Sequence, residues 1–252
     1  MIRALLVLLA VLVALPATAM SGKAELTCRD TEYDGNRYSL CETDTVHSDL
    51  RLFLRDEGGA ILGQFSAINR LLQGEGKELG FAMNAGMYHA DRAPVGHYVE
   101  NGTERMRVIA NPGPGNFGLL PNGVFCIRPG RADVIETRAF LRLAPDCTFA
   151  TQSGPMLVID GALHPRFLVD STSRYQRNGV GTNASGTRAV FVISKNPVTF
   201  YEFGSFFRDA LGLPNALYFD GKVSRLYAPS LGRNDRGFAL GPIVGVVVPR
   251  SK

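Results

Sequence analysis

Residues 199–221 read TFYEFGSFFRDALGLPNALYFDG, and this stretch decides the fold class. Thr199 and Glu202 stand three apart, the spacing of a capping box in which each side chain accepts a hydrogen bond from the other residue's backbone N–H. Phe203, Phe206, Phe207 and Ala210 then form an apolar stripe at helical period, so a helix is expected over residues 200–211, with Gly212 as its stop. Ala216–Phe219 follows as a buried strand that ends on Asp220-Gly221. A carboxylate at the end of so apolar a strand stands at the rim of a core. Partial desolvation there raises its pKa, as general acid work requires. A plain Asp-Gly turn is the competing reading.

The chain on either side does not repeat this helix–strand alternation. Upstream, RAVFVIS at 188–194 is a strong buried strand, and strands are read at 124–127, 133–136 and 156–159. Residues 25–65 are strand-rich around the Asp34-Gly35 turn, with Leu50–Leu54 alternating. Short helices fit 66–72 and 139–143, and residues 238–248 close the chain with a last strand. Many strands, few helices and no strict alternation predict a single α+β domain with a mixed β-sheet and a few packed helices.

A second stretch organises the chemistry. Residues 81–96, FAMNAGMYHADRAPVG, read as a buried strand broken at Asn84-Ala85-Gly86, followed by a polar cluster of Tyr88, His89, Asp91 and Arg92. Pro94 and Gly96 turn the return path. Small residues that end an apolar strand and deliver polar groups are a common way to present a site. Arg174, Arg177 and Asn178 precede Gly179-Val180-Gly181. Read as a loop, that segment sets a guanidinium beside exposed backbone N–H groups, which makes a phosphate receptor.

Composition narrows the remaining classes. The chain has 252 residues, with 27 Lys+Arg against 23 Asp+Glu and a net charge of +4. That mild balance suits an anionic ligand, and without a Lys/Arg run nucleic acid is not an expected partner. Arg3, the apolar run Ala4–Leu15 and Pro16-Ala17-Thr18-Ala19 form a secretory leader over residues 1–19. The domain is expected over 20–252, secreted or periplasmic, with no membrane span once the leader is removed. Cys28, Cys41, Cys126 and Cys147 are even in number, and the spacing lacks the C-x-x-C of a zinc site. Cys28 and Cys41 flank the Asp34-Gly35 hairpin, so the expected disulfides are Cys28–Cys41 and Cys126–Cys147.

Three motifs are set aside. Gly113, Gly115 and Gly118 satisfy G-x-G-x-x-G, but Pro121 and Asn122-Gly123 prevent the helix a dinucleotide site needs. Ser153 opens a strand without the G-x-S-x-G elbow of a nucleophile. His89, His97 and His164 lack the i, i+4 pairing of a helical metal site.

With these segments placed, the chain resembles the phosphodiester glycosidase family. NAGMY at 84–88 is similar to that family's Asn-Gly-Gly-Phe-Phe turn, and Pro94-Val95-Gly96 to its Pro-x-Gly. SGPMLVIDG at 153–161 resembles its Gly-Pro-Leu strand, RNGVG at 177–181 its Arg-Thr-Ala-Ile-Gly, and ALYFDG at 216–221 its Leu-Asp-Gly-Gly ending, with Ser224 near a family Ser. Ala85, Met87, Tyr88, Lys222 and Val223 depart from the pattern. The resemblance implies hydrolysis of a sugar-1-phosphodiester at its C1–O bond, a phosphodiester-linked carbohydrate as partner and no cofactor. It implies Asp220, Arg177 and Asn84 as catalytic residues. Gly86, His89, Asp91, Gly96, Ser153, Asn178, Gly221 and Ser224 would line the substrate site, with Asp91 as a second carboxylate. Two rivals remain: a non-catalytic module binding an anionic glycan or a cell-wall polymer, and a metal-dependent phosphoesterase built on His89, Asp91 and Asp220.

Overall fold

In the computed structural model, which describes residues 26–250, the Asp34-Gly35 turn joins β1 (Leu26–Tyr33) to β2 (Asn36–Asp44). Their antiparallel register sets Cys28 opposite Cys41, and the two are disulfide-bonded. The expected leader lies outside the described residues. The chain continues through β3 (Asp49–Phe53), α1 (Phe65–Gln73) and β4 (Lys77–Asn84). The hairpin of β5 (Tyr98–Glu100) and β6 (Thr103–Met106) turns at Asn101-Gly102, both with positive φ. Next come β7 (Gly123–Arg128), β8 (Arg131–Glu136), α2 (Thr137–Leu143) and β9 (Phe149–Ser153). The second expected disulfide, Cys126–Cys147, ties β7 to the segment leading into β9.

The site-bearing half holds β10 (Met156–Ile159), β11 (Ala162–Leu163), β12 (Asn178–Thr182), β13 (Arg188–Ser194), α3 (Phe200–Ser205) and β14 (Asn215–Asp220). It closes with β15 (Leu226–Ala228), β16 (Arg233–Asn234) and β17 (Ile243–Pro249). The capping box at Thr199 and Glu202 is present, and α3 runs on through a π-helical turn over Phe206–Ala210 to Gly212. Residues 238–242, expected to open the last strand, lie outside it.

Three antiparallel sheets result, in the orders β1-β2-β13-β12-β14-β10-β11, β16-β15-β4-β17-β3 and β6-β5-β9-β7-β8. Their inner faces meet in one core. Leu52, Phe81 and Val244 from the second sheet pack with Phe125 and Val134 from the third and with Phe191, Leu217 and Phe219 from the first. Alternation along β13 explains the layering: Ala189, Phe191 and Ile193 face that core, while Val190 and Val192 face α3. Helix α1 covers the outer face of the second sheet. The class is α+β and mostly β.

One expectation is corrected. Residues 178–182, read as a glycine-bearing loop, form β12, a buried strand between β13 and β14. The glycines reflect close packing. A Cβ on Gly181 would come within 2.8 Å of both Phe207 and Leu213, so the bare backbone lets α3 settle onto the sheet.

Candidate active site

The neighbouring strands β12 and β14 deliver the main polar groups. Asn178 pairs with Asp220 and Gly179 with Tyr218, so a bulge falls at Phe219. Such an irregularity re-aims the residues at a strand end. Beside it opens a cleft of about 610 Å³, lined among others by Arg177, Tyr218, Asp220, Gly221, Lys222 and Tyr175. His89 and Met87 approach from the loop after β4, and Asn116 and Phe117 from the turn-forming run that carries the discounted glycine motif. A larger groove of about 760 Å³ lies elsewhere, around Arg51, Arg55 and Glu100. Arg51 there is already paired with Asp49 and Glu75, so the smaller cleft is the better candidate.

Arg177 is its most unusual member. The side chain is 1 % exposed, yet no carboxylate among the described residues pairs with it. Nε donates to the Val198 carbonyl at 2.9 Å and Nη2 to the Ser173 carbonyl at 3.0 Å. The guanidinium carbon lies 3.7 Å from the centroid of the Phe200 ring, the first residue of α3. Nη1 is buried with no hydrogen-bond partner. Burial pulls the pKa of Arg177 down, while the Tyr218 phenol works the other way. An orphaned charged donor costs more than the ~1–3 kcal/mol of a neutral one. Arg174, by contrast, is exposed and bonded to Glu202 at 2.5 Å.

Asp220 is half-buried at the end of β14. Burial raises its pKa, against the lowering effect of the Lys222 and Gly221 backbone N–H groups. Those amides donate to Oδ1 at 2.9 and 2.6 Å, which fixes the carboxylate's orientation.

Asn84 and Asn178 are fully buried behind the cleft. Their side chains meet amide to amide at 3.2 Å, and Asn178 Nδ2 also donates to the Asn84 carbonyl at 2.8 Å. Asn84 Oδ1 accepts from the Arg225 backbone N–H at 3.0 Å. Ser224 Oγ bridges to the Gln176 and Asp220 carbonyls and to Asn178 Oδ1. The trio clamps the turn after Asp220 to the broken end of β4. The clasp links the end of β4, in the second sheet, to β12 in the first.

The other expected site residues divide clearly. His89 and Gly221 line the cleft. Asp91 is exposed, outside the lining, and caps its own turn through the Ala93 N–H at 3.0 Å. Ser153 is buried, with its hydroxyl donating to the Phe219 carbonyl at 3.0 Å. Gly86 and Gly96 pack against β9: Gly86 has φ +137°, and a Cβ on Gly96 would meet the Phe117 ring at 2.5 Å. Among the described residues, no three His, Cys, Asp or Glu side chains are gathered where they would hold a metal.

Sequence reasoning missed Tyr218, Tyr175, Asn116 and Phe117. In sequence Tyr218 reads only as part of an apolar strand. Its hydroxyl two residues before Asp220 was the available signal.

The β-rich α+β scaffold thus brings to one cleft a desolvated carboxylate and a buried guanidinium that has no carboxylate partner among the described residues. Residues 77–239 match the phosphodiester glycosidase family model, and the chain belongs to that family. It is 33% identical over 178 residues to the uncharacterized protein YigE of Escherichia coli K12, a span covering 71% of this chain and 69% of that protein. The fold is similar to the zebrafish N-acetylglucosamine-1-phosphodiester alpha-N-acetylglucosaminidase catalytic domain auto-inhibited by its pro-peptide. There the TM-score is 0.57 at 12% identity, over 89% of this chain and 82% of that one. A putative exported protein from Burkholderia pseudomallei gives 0.53 at 12% identity, over 84% and 74%. Among the described residues, no helix is long and apolar enough to cross a membrane.

Proposed function

We propose that the protein hydrolyses a sugar-1-phosphodiester at the glycosidic C1–O bond. The observation that carries this reading is the unpaired Nη1 of Arg177, buried in the cleft that holds Asp220. A phosphodiester oxygen satisfies that donor. Water attacks the anomeric carbon while Asp220 takes its proton, the C1–O bond breaks, and its electron pair leaves on the phosphate, a stable anion that needs little protonation. One carboxylate then suffices, in keeping with Asp91 lying outside the cleft. Asn84 acts indirectly, through the amide clasp and Ser224. The two disulfides suit an oxidising compartment, so export to the periplasm or beyond belongs to the same proposal.

The test is incubation with a panel of sugar-1-phosphodiesters in ¹⁸O-labelled water. Label is expected in the sugar hemiacetal. Label in the phosphate means attack at phosphorus and rejects the mechanism, and binding without product in any member of the panel rejects hydrolysis.

A further inference from the structure

We infer that the Tyr218 hydroxyl is a second substrate-binding donor, which completes with Arg177 Nη1 a two-point cradle for the anionic group of the ligand. The inference rests on the reading of the cleft as an anion site and adds a residue outside the matched motif roles.

Tyr218 is 1 % exposed. Its ring is packed edge-on against Phe200 at 4.8 Å, the same ring on which the Arg177 guanidinium lies. Phenol and guanidinium are therefore held by one platform, with Arg177 Cζ 5.5 Å from the Tyr218 ring centroid. Tyr218 borders the cleft, where the Arg177 and Asn116 side chains bond to the phenol and the Asp220 carboxylate acts on it from the end of the same strand. A cation beside a phenol attracts the oxygen lone pairs and turns the O–H away from itself. Arg177 and Asn116 both favour the ionised phenol, as donors to its oxygen do, so its O–H is directed away from them towards the cleft, which it shares with Asp220.

Two further features agree. Gly221 leaves the hydroxyl its room, since a Cβ there would stand 2.3 Å from Tyr218 Oη. Burial also pushes the phenol's pKa well up, so the group remains a donor throughout the range in which the substrate is an anion.

The probe is dimethyl phosphate, a diester that the proposed glycosidase chemistry cannot consume, titrated calorimetrically into the full chain. Tyr218→Phe retains the ring on Phe200 and removes only the hydroxyl. Its affinity is expected to fall about 10- to 100-fold, as for loss of a hydrogen bond to a charged group. Gly221→Ala retains the hydroxyl but crowds it, and is expected to weaken binding as well. Unchanged affinity in Tyr218→Phe overturns the inference and leaves the proposed hydrolysis standing. Binding that depends on Tyr218 without turnover of any diester upholds the inference and removes the hydrolysis. No binding by the wild-type chain overturns both. With a cleaved diester, Tyr218→Phe is expected to raise KM. A fall in kcat at constant KM would make the phenol a proton donor to the leaving oxygen, which also overturns the binding role.

Discussion

Arg177 and Asp220 are costly residues for the fold, and that cost is the clearest physical sign of a site. Arg177→Lys retains the charge but loses the planar fork that reaches Val198, Ser173 and the cleft together. A fall in kcat/KM of about 10- to 100-fold is expected, the size of one lost hydrogen bond to a charged group. Arg174→Lys, at an exposed Glu202 pair, should change it little. Asp220→Asn should lower kcat by about 10²-fold or more. Its effect on stability has the opposite sign. Burial raises the pKa of Asp220, so its favourable protonated form is present below the unfolded value near 3.8 and is lost as pH rises through the folded value. The Asn variant should therefore match or exceed wild type in melting temperature at pH 7, and lose that advantage near pH 3.5. A fall in both activity and stability at pH 7 would assign Asp220 a structural role.

At the scale of elements, the sequence is most legible where period and punctuation agree. The box at Thr199 and Glu202, the Phe stripe and Gly212 mark α3 because each reports on local backbone. The run RAVFVIS marks β13 because burial on both faces leaves apolar residues at its five central positions. By contrast, β12 reads as a loop because Gly179 and Gly181 carry loop chemistry in sequence. Their cause is non-local: Leu217, Phe207 and Leu213 press on them from other elements. β9 was missed for a related reason. Its Thr151, Gln152 and Ser153 are buried polar residues satisfied by distant carbonyls and amides, which no hydropathy pattern announces. The same reasoning hid Tyr218. Gly181→Ala, harmless in a loop, should therefore destabilise the protein by about 1–3 kcal/mol through overpacking. Urea unfolding measures it, and a change below about 0.5 kcal/mol would mean that α3 yields easily.

For the whole molecule, three sheets share one core and two disulfides close its flanks, so the described chain should respond to its surroundings as a unit. No cysteine among the described residues is free. Denatured, unreduced protein is expected to show no titratable thiol; four thiols would argue against an oxidising compartment. The pH response follows from the buried imidazoles. Burial lowers the pKa of His97, against the Met106 carbonyl that its Nδ1 meets at 2.9 Å and the nearby Glu104. Burial likewise lowers that of His164, which stacks on Phe167 at 4.8 Å. A depressed folded value means that the unfolded chain takes up protons first. Stability is therefore full above the ordinary value near 6.5 and is lost as pH falls towards the folded values. The salt-bridged carboxylates Glu42 and Asp49, whose folded values are also lowered, contribute fully above their ordinary values of 4.5 and 3.8 and lose that contribution as pH falls from there through the folded values. Stability should thus be lost to acid in two stages, the first belonging to histidine, while unfolding itself stays cooperative. His97→Asn combined with His164→Asn retains a short polar group at each site but removes the titration. In urea unfolding at pH 8 and pH 5.5, the wild type is expected to lose stability between the two, and the double variant to lose clearly less. An equal loss in both would place the first stage on other groups.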